Sequence, residues 1–125
     1  MEITLNDHRK IFDIQKEFSE MFPYLKLEFY SKSSKKGGAP STNLMKHISK
    51  RIAECRTIHT SGNITIQPNM TISELEQSFR DVYGLSIEVF RKSANEWLET
   101  KETNDWTLDK QNAEAGSANK LEEVI

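Results

Sequence analysis

The spacing of apolar residues changes twice within the first thirty positions. Ile3 and Leu5 alternate with polar neighbours, which predicts a short strand. Ile11, Ile14, Phe18, Met21 and Phe22 then follow the period of an amphipathic helix, and Leu25, Leu27 and Phe29 return to strand alternation. The same order reappears further along, where residues 63–92 align with residues 2–32 at an offset of 61 that becomes 60 after one gap. Ile3, Thr4, Ile11, Phe18, Leu25, Glu28 and Lys32 meet identical residues in Ile64, Thr65, Ile72, Phe79, Leu85, Glu88 and Lys92. The helical stripe recurs as Ile72, Leu75, Phe79, Val82 and Tyr83, and the strand as Leu85, Ile87 and Val89.

Two strand-helix-strand units in tandem predict an α+β domain of ferredoxin-like type, in which one antiparallel four-stranded sheet carries both helices on one face. A β-grasp, ubiquitin-like sheet is the alternative. It needs a hairpin ahead of its helix, for which only the run Thr57 to His59 is available. Local chemistry sets the helix ends. Thr71 and Glu74 have the spacing of a capping box, Gly84 offers a left-handed stop, and Pro23 ends the first helix because it has no amide to donate.

Outside the repeat, residues 31–43 join three lysines to a Gly-Gly-Ala-Pro break and predict a flexible basic loop. Leu44, Ile48, Ile52 and Cys55 share a helical face, so an inserted helix is expected over about 42–55, capped by Ser41 or Thr42. A turn at 92–95 and a fifth strand at 96–100 should return as a hairpin on the second unit. The single domain would then occupy residues 1–112. Residues 113–125 read as a disordered tail, because apolar residues are sparse there.

Composition narrows the function classes. With 125 residues, 36% of them hydrophobic, the chain supports one modest core, and no run approaches the roughly 20 apolar residues that cross a bilayer. The start of the chain, MEITLNDHRK, has no apolar signal region. The lone Cys55 excludes an intrachain disulfide, which suits a reducing, cytoplasmic compartment. The net charge of −2 hides a basic middle, since residues 31–60 hold seven basic groups and one acidic group, while residues 99–125 hold three and seven.

No nucleophile elbow, phosphate loop or metal motif appears, so neither an enzyme nor a cofactor is expected. His8, His47 and His59 fall on separate elements. His47 and Cys55 lie two helical turns apart, about 12 Å along the axis, too far to share a zinc. Two candidate surfaces remain. Lys32, Lys35, Lys36, Lys46, Lys50, Arg51 and Arg56 would suit an anion or a nucleic acid through phosphate contacts, with a solvated basic face as the plainer reading. Nucleic acid is the weaker partner, because the central strands of a ferredoxin-like sheet would expose threonines rather than the aromatics on which bases stack.

Strand alternation turns Tyr30 and Phe90 away from the helices, at matched places in the two units. Trp97 and Trp106 are expected to fold back onto that same side, with Trp97 near Tyr30 or Phe90. These four aromatics form the candidate surface for a protein partner or for self-association. Finally, the run GLSIEVFRKSANEWLETKETNDWTLDKQN, residues 84–112, resembles a small family of uncharacterised bacterial proteins that share an FRKSxxxWLET segment followed by DWTLxxQN. The resemblance extends more loosely to FPYLKLEF and implies that the Trp106 segment belongs to the fold; it carries no activity or ligand. The reading is therefore a small protein-interaction module, with an anion-binding protein as the alternative.

Overall fold

The computed structural model describes residues 1–30, 51–55 and 59–124. In chain order these form β1 (Glu2–Leu5), α1 (Ile11–Met21), β2 (Leu25–Phe29), a 3-10 turn at Ile52–Cys55, β3 (Gly62–Thr65), α2 (Ile72–Tyr83), β4 (Ile87–Ser93), β5 (Glu96–Glu99), a second 3-10 turn at Lys101–Thr103 and α3 (Leu108–Val124). The protein is thus α+β, and each expected unit is present as strand, helix and strand. The flexible loop expected at 31–43 and most of the helix expected at 42–55 lie outside the described residues. The end of that helix is instead the 3-10 turn, whose Ile52 is fully buried.

The strands are divided between two antiparallel sheets rather than joined in the single sheet of a ferredoxin-like plan. β1 pairs with β3, and β2, β4 and β5 form a second sheet in that order. β2 and β4 are suited to each other because both alternate apolar side chains in the same register: Leu27 lies opposite Val89 and Phe29 opposite Ile87. Among the described residues no hairpin precedes either helix, as a β-grasp sheet would require, and β1 leads straight to α1 and β3 to α2; Thr57 and Ile58 lie outside the described residues. Residues aligned in the two units face one another across both sheets, Ile3 opposite Ile64 and Glu28 opposite Glu88.

The core fills the space between the sheets and the first two helices. Ile11, Ile14 and Phe18 of α1 and Ile72, Leu75, Phe79 and Tyr83 of α2 are the buried stripes, and they meet Ile3, Leu5, Leu25, Leu27, Phe29 and Val89. Phe29 and Phe79 stack edge to face with centroids 6.1 Å apart. Both expected features of α2 are present. Thr71 and Glu74 form the reciprocal capping box, and Gly84 stops the helix at φ 62°. At the end of α1, Phe22 is pushed out of helical geometry ahead of Pro23.

The expected disordered tail is replaced by α3, which runs through residues 113–124. Leu108, Gln111, Ala115 and Gly116 bury one side of it. Beyond Leu108 this stripe is made of small and polar residues, so it does not register as apolar in the sequence. Gly116 lets the helix lie against the Tyr24 ring, since a Cβ there would be 3.0 Å from the ring edge, and Asn112 accepts the Tyr24 amide at 2.9 Å. The starts of α2 and α3 satisfy each other: the amides of Ile72 and Ser73 donate to the carbonyls of Trp106 and Asn104, and those of Leu108 and Asp109 donate to Met70 and Pro68.

Candidate interaction surface

Because β2 and β4 pair in register, their side chains divide cleanly between two sides of the sheet. Leu25, Leu27, Phe29, Ile87 and Val89 face the core. Lys26, Glu28, Glu88, Phe90 and Lys92 point the other way, joined by Trp97 and Glu99 from β5 and by Tyr30 just past β2. Three of the four predicted aromatics therefore share one side. Trp97 and Phe90 are linked through Lys26, whose Nζ lies 4.9 Å from the Trp97 ring centroid and 5.5 Å from that of Phe90. Trp97 nevertheless remains 39% exposed.

Trp106 is placed elsewhere, which corrects the expectation of a common aromatic surface. It lines a groove of about 210 Å³ with Arg91, Leu98, Glu114 and Ala115, on the side of the sheet where α3 packs. The reason is alternation: Arg91 and Leu98 project opposite to Phe90 and Trp97, and the segment carrying Trp106 runs along the start of α2 into α3. Lys110 covers the indole, its Nζ 4.4 Å from the ring centroid.

Beside Phe90 the exposed side of the sheet becomes acidic. Glu88 is almost wholly buried; its Oε2 accepts the Tyr30 hydroxyl hydrogen bond, while Oε1 has no hydrogen-bond partner among the described residues. Burial first, and then the bond to Glu88 and the charges of Glu88, Glu99 and Glu76, push the Tyr30 hydroxyl above its ordinary pKa. Glu76 of α2 accepts from the Val89 amide. Its carboxyl is raised to about 7, mainly by burial and then by the charge of Glu88, against the opposing pull of Arg80 and Lys101. Among the described residues, no group of three His, Cys, Asp or Glu side chains could hold a metal ion. No helix among them is long and apolar enough to cross a membrane.

The backbone supplies a feature that the side-chain pattern does not reveal. The Lys92 amide donates to Tyr24 and the Tyr30 amide to Ser86, so the even-numbered residues of β4 bond to β2 and the odd-numbered ones to β5. Through the pairs Arg91–Leu98 and Ser93–Glu96, the peptide groups of Leu98 and Glu96 therefore turn inward. Those of Trp97 and Glu99 turn outward along the free edge.

The other edges carry side-chain bonds. On β2, Gln15 and Ser19 of α1 donate to Leu27 O at 2.7 Å and Leu25 O at 3.0 Å. On β1, Arg9 donates to Thr4 O; on β3, the Tyr83 hydroxyl donates to Asn63 O at 2.8 Å. Where β5 ends, Thr100 Oγ1 donates to Val89 O at 2.7 Å. No such bond reaches the outward groups of β5 from the described residues. All four residues of the strand are exposed. Sequence reasoning located the strand and missed its edge, because hydrogen-bond parity depends on which partner each strand finds.

Of the predicted basic set, Lys32, Lys35, Lys36, Lys46, Lys50 and Arg56 lie outside the described residues. Arg51 pairs through its backbone with Lys10, donates a side-chain bond to His8 O, and helps line an open pocket of about 360 Å³ with Asn6, His8, Arg9, Lys10 and Asp13. Part of that charge is offset locally. Arg9 forms a salt bridge with Glu17, and Asp13 lies in the pocket wall. Nearby, His59 Nδ1 lies 2.7 Å from Asp7 Oδ2. No family model, curated protein or solved structure matches this chain.

Proposed function

We propose that this chain is a protein-interaction module that adds an extended segment of a partner to its sheet at β5. The observation that carries this reading is the outer edge of β5, which no side-chain bond from the described residues reaches. Trp97 and Glu99 present two amides and two carbonyls in line, beside an exposed indole, whereas on each other edge at least one carbonyl accepts a side-chain bond of the fold. We take the two repeat units to be related by an internal two-fold axis running through the pairs Ile3–Ile64 and Glu28–Glu88. On that view β5 has no counterpart among the described residues of the first unit, where Gln15 and Ser19 of α1 bond the corresponding edge.

The anion-binding alternative has less to support it among the described residues, where Arg51 alone of its predicted cations is placed and Asp13 shares its pocket. The test is panning of displayed random decapeptides on the full chain, followed by hydrogen exchange on the selected complexes. Slowed exchange of the Trp97 and Glu99 amides, with binding abolished by Glu99→Pro, is the expected result. That substitution removes an outward donor and leaves the inward ladder intact. Selected peptides that protect another surface and tolerate Glu99→Pro would overturn the proposal.

A further inference from the structure

The chemistry of the added strand can be read from the side chains along β5. We infer that the partner segment is basic and alternating, with lysine or arginine at every second position and an apolar residue between. This rests on strand addition at β5.

Parity fixes the geometry. The residues that bond to Trp97 and Glu99 lie directly opposite them, so their side chains project to the exposed side of the sheet, among Phe90, Trp97 and Glu99. A cationic side chain opposite Glu99 meets a carboxylate whose own contact is a loose 3.9 Å pair with Lys101. A second cation, opposite Trp97, lies over an indole already shown to accept an ammonium group from Lys26. The intervening residue projects to the opposite side. There Leu98, 36% exposed, and Trp106 offer apolar contact at the groove beneath α3, which Arg91 and Glu114 also line.

Charge selects this partner over a second copy of the chain. β5 carries Glu96 and Glu99 and no basic residue, so two copies paired edge to edge would bring four carboxylates onto one short ladder.

The experiment uses the full chain with two synthetic probes, an acetylated and amidated Lys-Val hexapeptide and its Glu-Val counterpart, followed by amide chemical shifts and fluorescence at several salt concentrations. The Lys-Val peptide is expected to shift Trp97 and Glu99, weaken as salt rises, and bind about three- to tenfold tighter than the Glu-Val peptide, the range of one cross-strand charge pair at Glu99 together with a cation–π contact at Trp97. The substitution Glu99→Lys should reverse the preference. Equal or tighter binding of the Glu-Val peptide at the same amides would overturn the basic partner and leave strand addition standing. Binding of neither peptide, together with a monomer by sedimentation, would remove strand addition at β5 itself. A dimer dissolved by Glu99→Pro would name a second copy as the occupant and overturn the basic partner.

Discussion

Glu76 should make the stability of this domain fall as pH rises through neutrality. Its carboxyl, at 4.5 in an ordinary setting, is lifted to about 7 by burial and by the charge of Glu88. The folded state therefore holds a proton that the unfolded chain has released. The resulting stabilisation is complete below about pH 4.5 and is lost as pH rises through about 7. A shift of this size would be worth ~3 kcal/mol for a group sealed from water. Glu76 is only half-buried, and solvent screening reduces the expected effect to ~1 kcal/mol. The perturbation is Glu76→Gln, which keeps a carbonyl oxygen for the Val89 amide and cannot ionise. Urea unfolding at pH 5.5 and pH 8.5 gives four stabilities, and their double difference isolates this residue from every other titrating group. Glu76→Gln should gain on wild type as pH rises, with the difference changing by ~1 kcal/mol between the two conditions. A direct check is the carboxyl carbon shift of Glu76, which should titrate well above the exposed glutamates. Parallel pH profiles for the two proteins, or a substitution that costs more at pH 8.5 than at pH 5.5, would refute the reasoning.

Two further outcomes follow from the packing. A chain ending at residue 112 should lose ~2 kcal/mol in urea unfolding, because it removes Ala115 and Gly116 from Tyr24 and shortens α3 to a remnant; an unchanged midpoint would mean that α3 is a passenger. At the tip of the β4–β5 turn, Ala94 sits at φ 54°, where glycine is at ease, so Ala94→Gly should raise stability by ~0.5 kcal/mol and Ala94→Val should lower it by more than that, read as opposite shifts of the unfolding midpoint.

What the sequence made legible was whatever depended on spacing along one element. The stripes of α1 and α2, the capping box at Thr71, the stop at Gly84 and the strand after Asn95 are local, and each stands within a residue or two of its expected place. Pairing is not local. Leu25, Leu27 and Phe29 announce a half-buried strand whichever neighbour they find, so alternation alone could not separate one sheet of four from two sheets sharing a core. Nor could α3 be seen, since a helix that packs through alanine and glycine shows no apolar stripe; its buried side is visible only once Tyr24 is known to lie against it.

The free edge of β5 required both kinds of information. The sequence supplied a strand with a tryptophan between charged ends, which by itself is the appearance of a blunted edge. Pairing then settled which peptide groups face outward and which side each residue occupies. That parity sets Trp97 and Glu99 together with Phe90 and leaves Trp106 with Leu98. A surface that looked like four aromatics in a row is instead an edge with different surroundings on its two sides, Phe90, Trp97 and Glu99 on one and Leu98 and Trp106 with Arg91 and Glu114 on the other. An alternating partner strand is complementary to both sides at once, whereas a flat apolar partner could satisfy only the groove beneath α3.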